Sequence, residues 1–166
     1  RNLVVSDDSS IVIMVNEEDH LRIQSMVSGL RLQEAYEHAK KIDKAIEAKY
    51  PYAFDERFGY LTACPTNVGT GLRASVMLHL PALTISGRIT RLIRSIIQLG
   101  YSVRGLYGEG SEALGNIYQI SNQCTMGVSE EDTIEQLTKI VEGIIAEERK
   151  SRQSLLHNDK EGLEDV

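Results

Sequence analysis

Three short stretches of this 166-residue chain carry side chains suited to chemistry. The first is Asn16-Glu17-Glu18-Asp19-His20, at the end of the apolar run Ile11-Val12-Ile13-Met14-Val15. Three adjacent carboxylates repel one another unless a cation binds beside them. The second begins at Cys64-Pro65-Thr66, where a hydroxyl two residues from a thiol can hydrogen-bond a thiolate. It continues through Asn67-Val68-Gly69-Thr70-Gly71-Leu72-Arg73, small residues with free amides and then an arginine, a composition that can cradle phosphate oxygens. The third is Arg104-Gly105-Leu106-Tyr107-Gly108-Glu109-Gly110, an arginine followed by a carboxylate held between two glycines. Two loop carboxylates and several arginines near a glycine-rich turn suit phosphoryl transfer to a cationic acceptor.

Each stretch taken singly has a plainer explanation. The acidic cluster reads as a solvated turn, Cys64 as a buried structural cysteine, and Glu109 as an incidental acid on a hairpin tip. Other chemistries are excluded by spacing. No Gly-Lys-Ser/Thr follows Gly71, so the loop is not a Walker A sequence. Gly108, Gly110 and Gly115 do not fit the dinucleotide pattern G-x-G-x-x-G. One His beside three consecutive acids lacks the spacing of a zinc motif, and no metal ligand is assigned.

The elements that must position these residues follow from periodicity. Ile11–Val15 reads as a strand ending at Asn16. Leu32, Ala35, Tyr36, Ala39, Ile42, Ala45 and Ile46 recur at helical spacing over 32–50, and Pro51 stops that helix. Strands are expected over 59–64, 74–80, 102–106 and 116–120, and a helix over 87–99 that ends at Gly100. Ser129, with Asp132 three residues on, opens a long helix whose inner face is Ile134, Leu137, Ile140, Val141, Ile144 and Ile145. Glycine-rich loops separating strands favour an antiparallel α+β sheet over a doubly wound one. Residues 1–152 then form one domain, and the polar stretch 153–166 a tail or linker.

Composition sets outer bounds. Eighteen Lys+Arg against 24 Asp+Glu give a net charge of −6, which argues against nonspecific binding to nucleic acid or an anionic membrane. No apolar run approaches the roughly 20 residues needed to cross a bilayer. Two cysteines, Cys64 and Cys124, make no disulfide scaffold and suit a reducing cytoplasm. The chain begins at Arg1 rather than Met, and is expected to be part of a longer product.

The three stretches, read through Asn16–Arg22, Cys64–Ser75 and Arg104–Glu109 followed by Ile120-Ser121-Asn122, resemble the ATP:guanido phosphotransferases, the family of arginine and creatine kinases. The motifs stand in family order, and the resemblance runs from about Ile11 to Arg152. Gly59–Thr62, Ala74–Pro81 and Gly108–Gln123 are most similar to the bacterial protein-arginine kinases within that family. The resemblance implies an antiparallel sheet flanked by helices, similar to glutamine synthetase. It implies that Glu18 and Glu109 grip the acceptor guanidinium, with Cys64 as the thiolate beside it. Arg22, Arg73 and Arg104 would bind the phosphates of ATP, with Mg²⁺ carried in by the nucleotide. It also implies protein substrates with exposed arginine, in cytoplasmic stress response and protein quality control. The partners it brings are an activator protein, a heat-shock repressor, Clp protease machinery and a second copy of the chain, with no nucleic acid or membrane.

Two departures bear on the acceptor. Arginine and creatine kinases usually carry His where this chain has Met77, and often Asp where it has Gln119. Both match the protein-directed branch and speak against small-guanidine habits. The alternatives are a kinase for free arginine or another small guanidine, and a non-catalytic module that binds phosphoarginine or a partner. The family's upstream part supplies further phosphate-binding arginines, so weak or no transfer is expected from these 166 residues alone.

Overall fold

A computed structural model describes residues 1–105 and 114–158. The chain divides into two compact units, residues 1–73 with 125–134, and residues 74–124 with the chain from Glu135 onward. Its sheets are all antiparallel and its helices lie between and beside strands, an α+β protein.

The first unit opens with a meander. Strands β1 (Asn2–Val5), β2 (Ile11–Glu17) and β3 (Asp19–Ser25) pair antiparallel in that order. The register places Ile13 opposite Ile23, Val15 opposite Leu21 and Glu17 opposite Asp19. Thus the acidic cluster ends β2, one residue past the expected Asn16, and forms the tip of the hairpin that leads into β3. The alternation of Leu21 and Ile23 with polar neighbours is the signal for β3. Helix α1 (Leu32–Glu47) lies against β3. It stops three residues before Tyr50, because Lys49 and Tyr50 both donate to the Ile46 carbonyl and tighten the last turn ahead of Pro51.

A strand over 59–64 is not found. Only β5 (Gly59–Tyr60) pairs, with β4 (Phe54–Asp55), and Pro65–Asn67 forms a 3₁₀ turn. The reason is local: the Thr62 hydroxyl donates to the Cys64 carbonyl at 2.6 Å, and a side chain, not a neighbouring strand, meets the next amides.

The second unit carries β6 (Ser75–His79), α2 (Pro81–Ile85), α3 (Ile89–Gln98), β7 (Tyr101–Gly105) and β8 (Ile117–Asn122). Its sheet has the order β6-β8-β7. Helix α3 packs on β7. Helix α4 (Glu130–Asn158) begins in the first unit and continues into the second. Ser129 caps it, its hydroxyl accepting the Asp132 N–H at 3.0 Å. The helix runs past Arg152, so 153–158 are helical rather than a polar tail; 159–166 lie outside the described residues. Just before this extension, the buried Glu148 carboxylate accepts the Ala82 and Leu83 N–H groups that open α2 and pairs with Arg152 at 2.7 Å. Among the described residues no helix is long and apolar enough to cross a membrane.

Candidate active site

The hairpin tip between β2 and β3 holds Glu18 in a left-handed conformation, φ 61°, next to Asn16 at φ 56°. Asn tolerates that region; for Glu it is uncommon. Strain of about 1–3 kcal/mol at one residue persists only where its surroundings fix it, which happens most at functional sites. The surroundings here are ionic. Arg22, projecting from β3, places Nη1 2.9 Å from the Glu17 carboxylate and 3.7 Å from that of Glu18. These groups are half-exposed, so the pairs add little stability and mainly set orientation.

Asp19, the next residue, reaches across 44 to 48 positions of sequence. Its Oδ1 accepts the Ala63 N–H at 2.6 Å and the Cys64 N–H at 3.4 Å, and its Oδ2 accepts the Asn67 amide at 2.9 Å. Burial pushes the Asp19 carboxyl upward, but the hydrogen bonds from Asn67, Ala63 and Cys64 and the Arg22 charge outweigh it and hold it below the ordinary carboxylate value. The hairpin tip and the thiol loop are therefore joined through one ionised side chain.

The Cys64 thiol sits 3.0 Å from the Thr66 hydroxyl, the pairing that their spacing suggested. The far end of the loop is fastened by Thr125, which the sequence places 55 or more residues away. Its hydroxyl lies 3.0 Å from the Thr66 carbonyl and 2.7 Å from that of Val68, and its carbonyl accepts the Thr70 N–H at 2.8 Å. Gly69 is required there: φ is +115°, and a Cβ would fall 2.1 Å from the Thr125 oxygen. Gly59, at φ +80°, meets Gly69 the same way, with 2.6 Å to its carbonyl oxygen.

The structure thus gathers Glu18, Arg22 and Cys64 within the first unit, through Asp19. Arg73 is exposed and closes that stretch of the unit. Arg104 is exposed on β7 of the second unit. Glu109 lies outside the described residues. Asp19, Asn67 and Thr125 were not among the expected site residues. Asp19 and Asn67 lie inside the motifs, and for Thr125 no local signal exists.

On the second unit's sheet, Gln119 in the central strand is opposite Met77 in β6 and Arg104 in β7. The two positions that depart from the arginine and creatine kinase pattern are therefore cross-strand partners in the row that ends at Arg104. Paired antiparallel positions share a face, so a change at one is felt at the other.

Residues 1–151 match the family model of the ATP:guanido phosphotransferase C-terminal catalytic domain. The chain belongs to that family. It is 60% identical over 162 residues to the protein-arginine kinase of Geobacillus stearothermophilus, covering 98% of this chain and 45% of that one. It is 54% identical to that of Caldanaerobacter subterraneus subsp. tengcongensis, again over 98% of this chain and over 48% of the relative. It spans about half the length of the curated relatives it matches. Among solved structures, lombricine kinase superposes with a TM-score of 0.79 at 31% identity, over 90% of this chain and 42% of that chain. The duplicated taurocyamine kinase from Schistosoma mansoni, with bound transition-state-analogue components, gives 0.74 at 30% identity, over 88% and 20%. The guanido-kinase catalytic fold follows from family membership.

Proposed function

We propose that this chain is the catalytic portion of a protein-arginine kinase, transferring the γ-phosphoryl group of ATP to arginine side chains of proteins. The observation that carries this reading is the 54–60% identity to protein-arginine kinases over 98% of the chain, against 30–31% to the lombricine and taurocyamine kinases. In this reading Glu18 and Glu109 grip the acceptor guanidinium, Cys64 stands beside it, and Arg22, Arg73 and Arg104 bind the nucleotide phosphates. A guanidinium with pKa above ~12 is neutral in only roughly 10⁻⁵ of molecules at pH 7, a deficit of about 7 kcal/mol. General-base help of about 10²–10⁴-fold does not cover that. The carboxylates therefore align the nitrogen in line with the γ-phosphorus. The nitrogen lone pair forms the P–N bond as the bond to the β–γ bridging oxygen breaks. ADP departs, and the nitrogen gives up its proton late, to a carboxylate. The arginines stabilise charge on the transferring group, an effect that for one arginine finger reaches about 10³–10⁵-fold.

Mg²⁺ would enter on the nucleotide, shielding its phosphates; among the described residues no three His, Cys, Asp or Glu side chains gather to hold an ion. The same reading carries a cytoplasmic setting in stress response, with an activator protein, a heat-shock repressor, Clp protease machinery and a second copy of the chain as partners. It also carries a single catalytic domain over 1–152 and poor activity from these residues alone.

The test is incubation of the longer protein with ATP and either an unfolded protein or free arginine. Acid-labile phosphate on protein supports the proposal. Turnover of free arginine alone would replace it with a small-guanidine kinase, and transfer to neither with a binding module. In the same protein, Glu109→Gln is expected to slow single-turnover transfer about 10²-fold or more; an unchanged rate would remove Glu109 from the site.

A further inference from the structure

We infer that Asp19 is a positioning residue, a clamp that fixes the Cys64 loop to the hairpin tip bearing Glu18 so that thiol and carboxylate face an acceptor as one rigid piece. The inference rests on the proposed kinase reading for its kinetic consequence, and on geometry alone for the clamp.

Three features support it. Asp19 is the residue after Glu18, whose strained backbone needs an anchor on at least one side. Its two carboxylate oxygens take three donors from one loop, two of them backbone N–H groups of Ala63 and Cys64 that no strand satisfies. The 2.6 Å bond is short, as charge-assisted bonds to a carboxylate are. The loop's other fastenings lead elsewhere, from the Leu61 N–H to the Ala53 carbonyl, between Tyr60 and Gly69, and to Thr125 at the far end, so among the described residues Asp19 is what ties the thiol end to the tip. The Cys64 Sγ–Thr66 Oγ1 contact lies within the loop and moves with it. A misplacement of about 1 Å between reacting groups can cost on the order of 10²-fold in rate. Asp19 touches neither nucleotide nor acceptor in this scheme. It acts through the backbone of Ala63 and Cys64.

The charge at Asp19 is separable from its shape. Asn at this position keeps an oxygen for the two backbone N–H groups, and the Asn67 amide can turn to offer its own oxygen. Geometry should therefore survive Asp19→Asn and fail in Asp19→Ala.

The experiment uses the longer protein and two readouts. Alkylation of Cys64 by iodoacetamide, followed by mass spectrometry of the Cys64 peptide, needs no kinase activity. Asp19→Ala is expected to alkylate at least about 5-fold faster, since its loop is released, and Asp19→Asn at the wild-type rate. In steady-state transfer to an unfolded protein, Asp19→Ala is expected to lose about 10²-fold in kcat with KM for ATP within about 2-fold, and Asp19→Asn to recover most of it. A folded Asp19→Ala protein that alkylates at the wild-type rate would overturn the clamp, and so would Asp19→Asn behaving like Asp19→Ala. If Asp19→Ala does not fold, Asn67→Ala removes only the Oδ2 leg and is expected to give an intermediate alkylation rate; no change there overturns the clamp. If the wild-type protein transfers phosphate to nothing, the kinase reading fails by itself and the alkylation result still decides the clamp.

Discussion

The two units of this chain are held together by different means. In the second, a dry core does the work: Leu83, Ile120, Leu137 and Val141 are almost wholly removed from solvent, and sheet and helices supply them. In the first, Ile134 is the only hydrophobic residue that is fully buried among the described residues. The strands β2 and β3 are half-buried at best, β1 is exposed along its length, and α1 buries nothing completely. What orders this unit near the candidate site is polar. Asp19 and Thr125, each remote in sequence, hold the two ends of one loop by hydrogen bonds to backbone. Apolar burial is non-directional and tolerates small shifts, whereas hydrogen bonds specify distances and angles. A loop that must present a thiol and several amides in fixed geometry is better served by the second kind of force. Apolar burial thus dominates in the second unit and directed hydrogen bonds in the first.

Truncation of the core tests that division most severely. Leu137→Ala is expected to cost about 2–5 kcal/mol, read as faster hydrogen exchange throughout β6, β7 and β8. Ile13→Ala, at a half-buried strand position, is expected to cost about half as much and to leave the second unit's exchange unchanged. Equal losses would erase the contrast.

A smaller effect, confined to the first unit, is expected at the glycine under Thr125. Gly69→Ala must relieve both a left-handed backbone and a 2.1 Å approach to the Thr125 oxygen, for about 1–3 kcal/mol. Exchange of the Thr70 amide should accelerate while Leu78 and Ile120 in the second unit keep their protection. A loop that stayed protected would mean that Thr125 is dispensable as a fastening.

The smallest effect belongs to the turn between β1 and β2. Hydrogen bonds from the Ser6 hydroxyl and from the Ser10 amide and hydroxyl lower the Asp8 carboxyl to about 2. A carboxyl lowered on folding stabilises the fold above its unfolded pKa and loses that contribution as pH falls toward the folded value. The turn should therefore loosen between about pH 4 and pH 2. An NMR titration of Asp8 with a midpoint near 4 would show that the serines do not hold it.

Much of this was legible in the residues. Helical periodicity gave α1, α3 and α4 their positions, since an apolar stripe at 3.6 spacing has one stable use. Ser129 marked the start of α4 because a cap needs only its own next turn. The pairing of Cys64 with Thr66 was readable for the same reason of short range. The errors have the opposite cause. Leu61–Cys64 looked like strand, but a strand needs a partner, and the donors there are taken by a carboxylate from another element. The acidic cluster does end a strand, but the strand that returns from it, β3, was not expected. Helix α4 also continues past Arg152 to Asn158, a reach that the polar residues of 153–158 do not signal.

What the sequence determined by itself is the set of chemical groups and their local order. The carboxylates at 17–19, the thiol and hydroxyl two apart, the glycine-rich loop and the family they mark all follow from residue types at short spacing. What only the tertiary structure decided is which remote residues hold those groups in place. The reach of Asp19 to Ala63 and Asn67, the grip of Thr125 on Val68, and the alignment of Met77, Gln119 and Arg104 in one row depend on strand register and loop closure. Those are set by cooperative folding of the whole unit. No window of sequence contains both ends of such a contact.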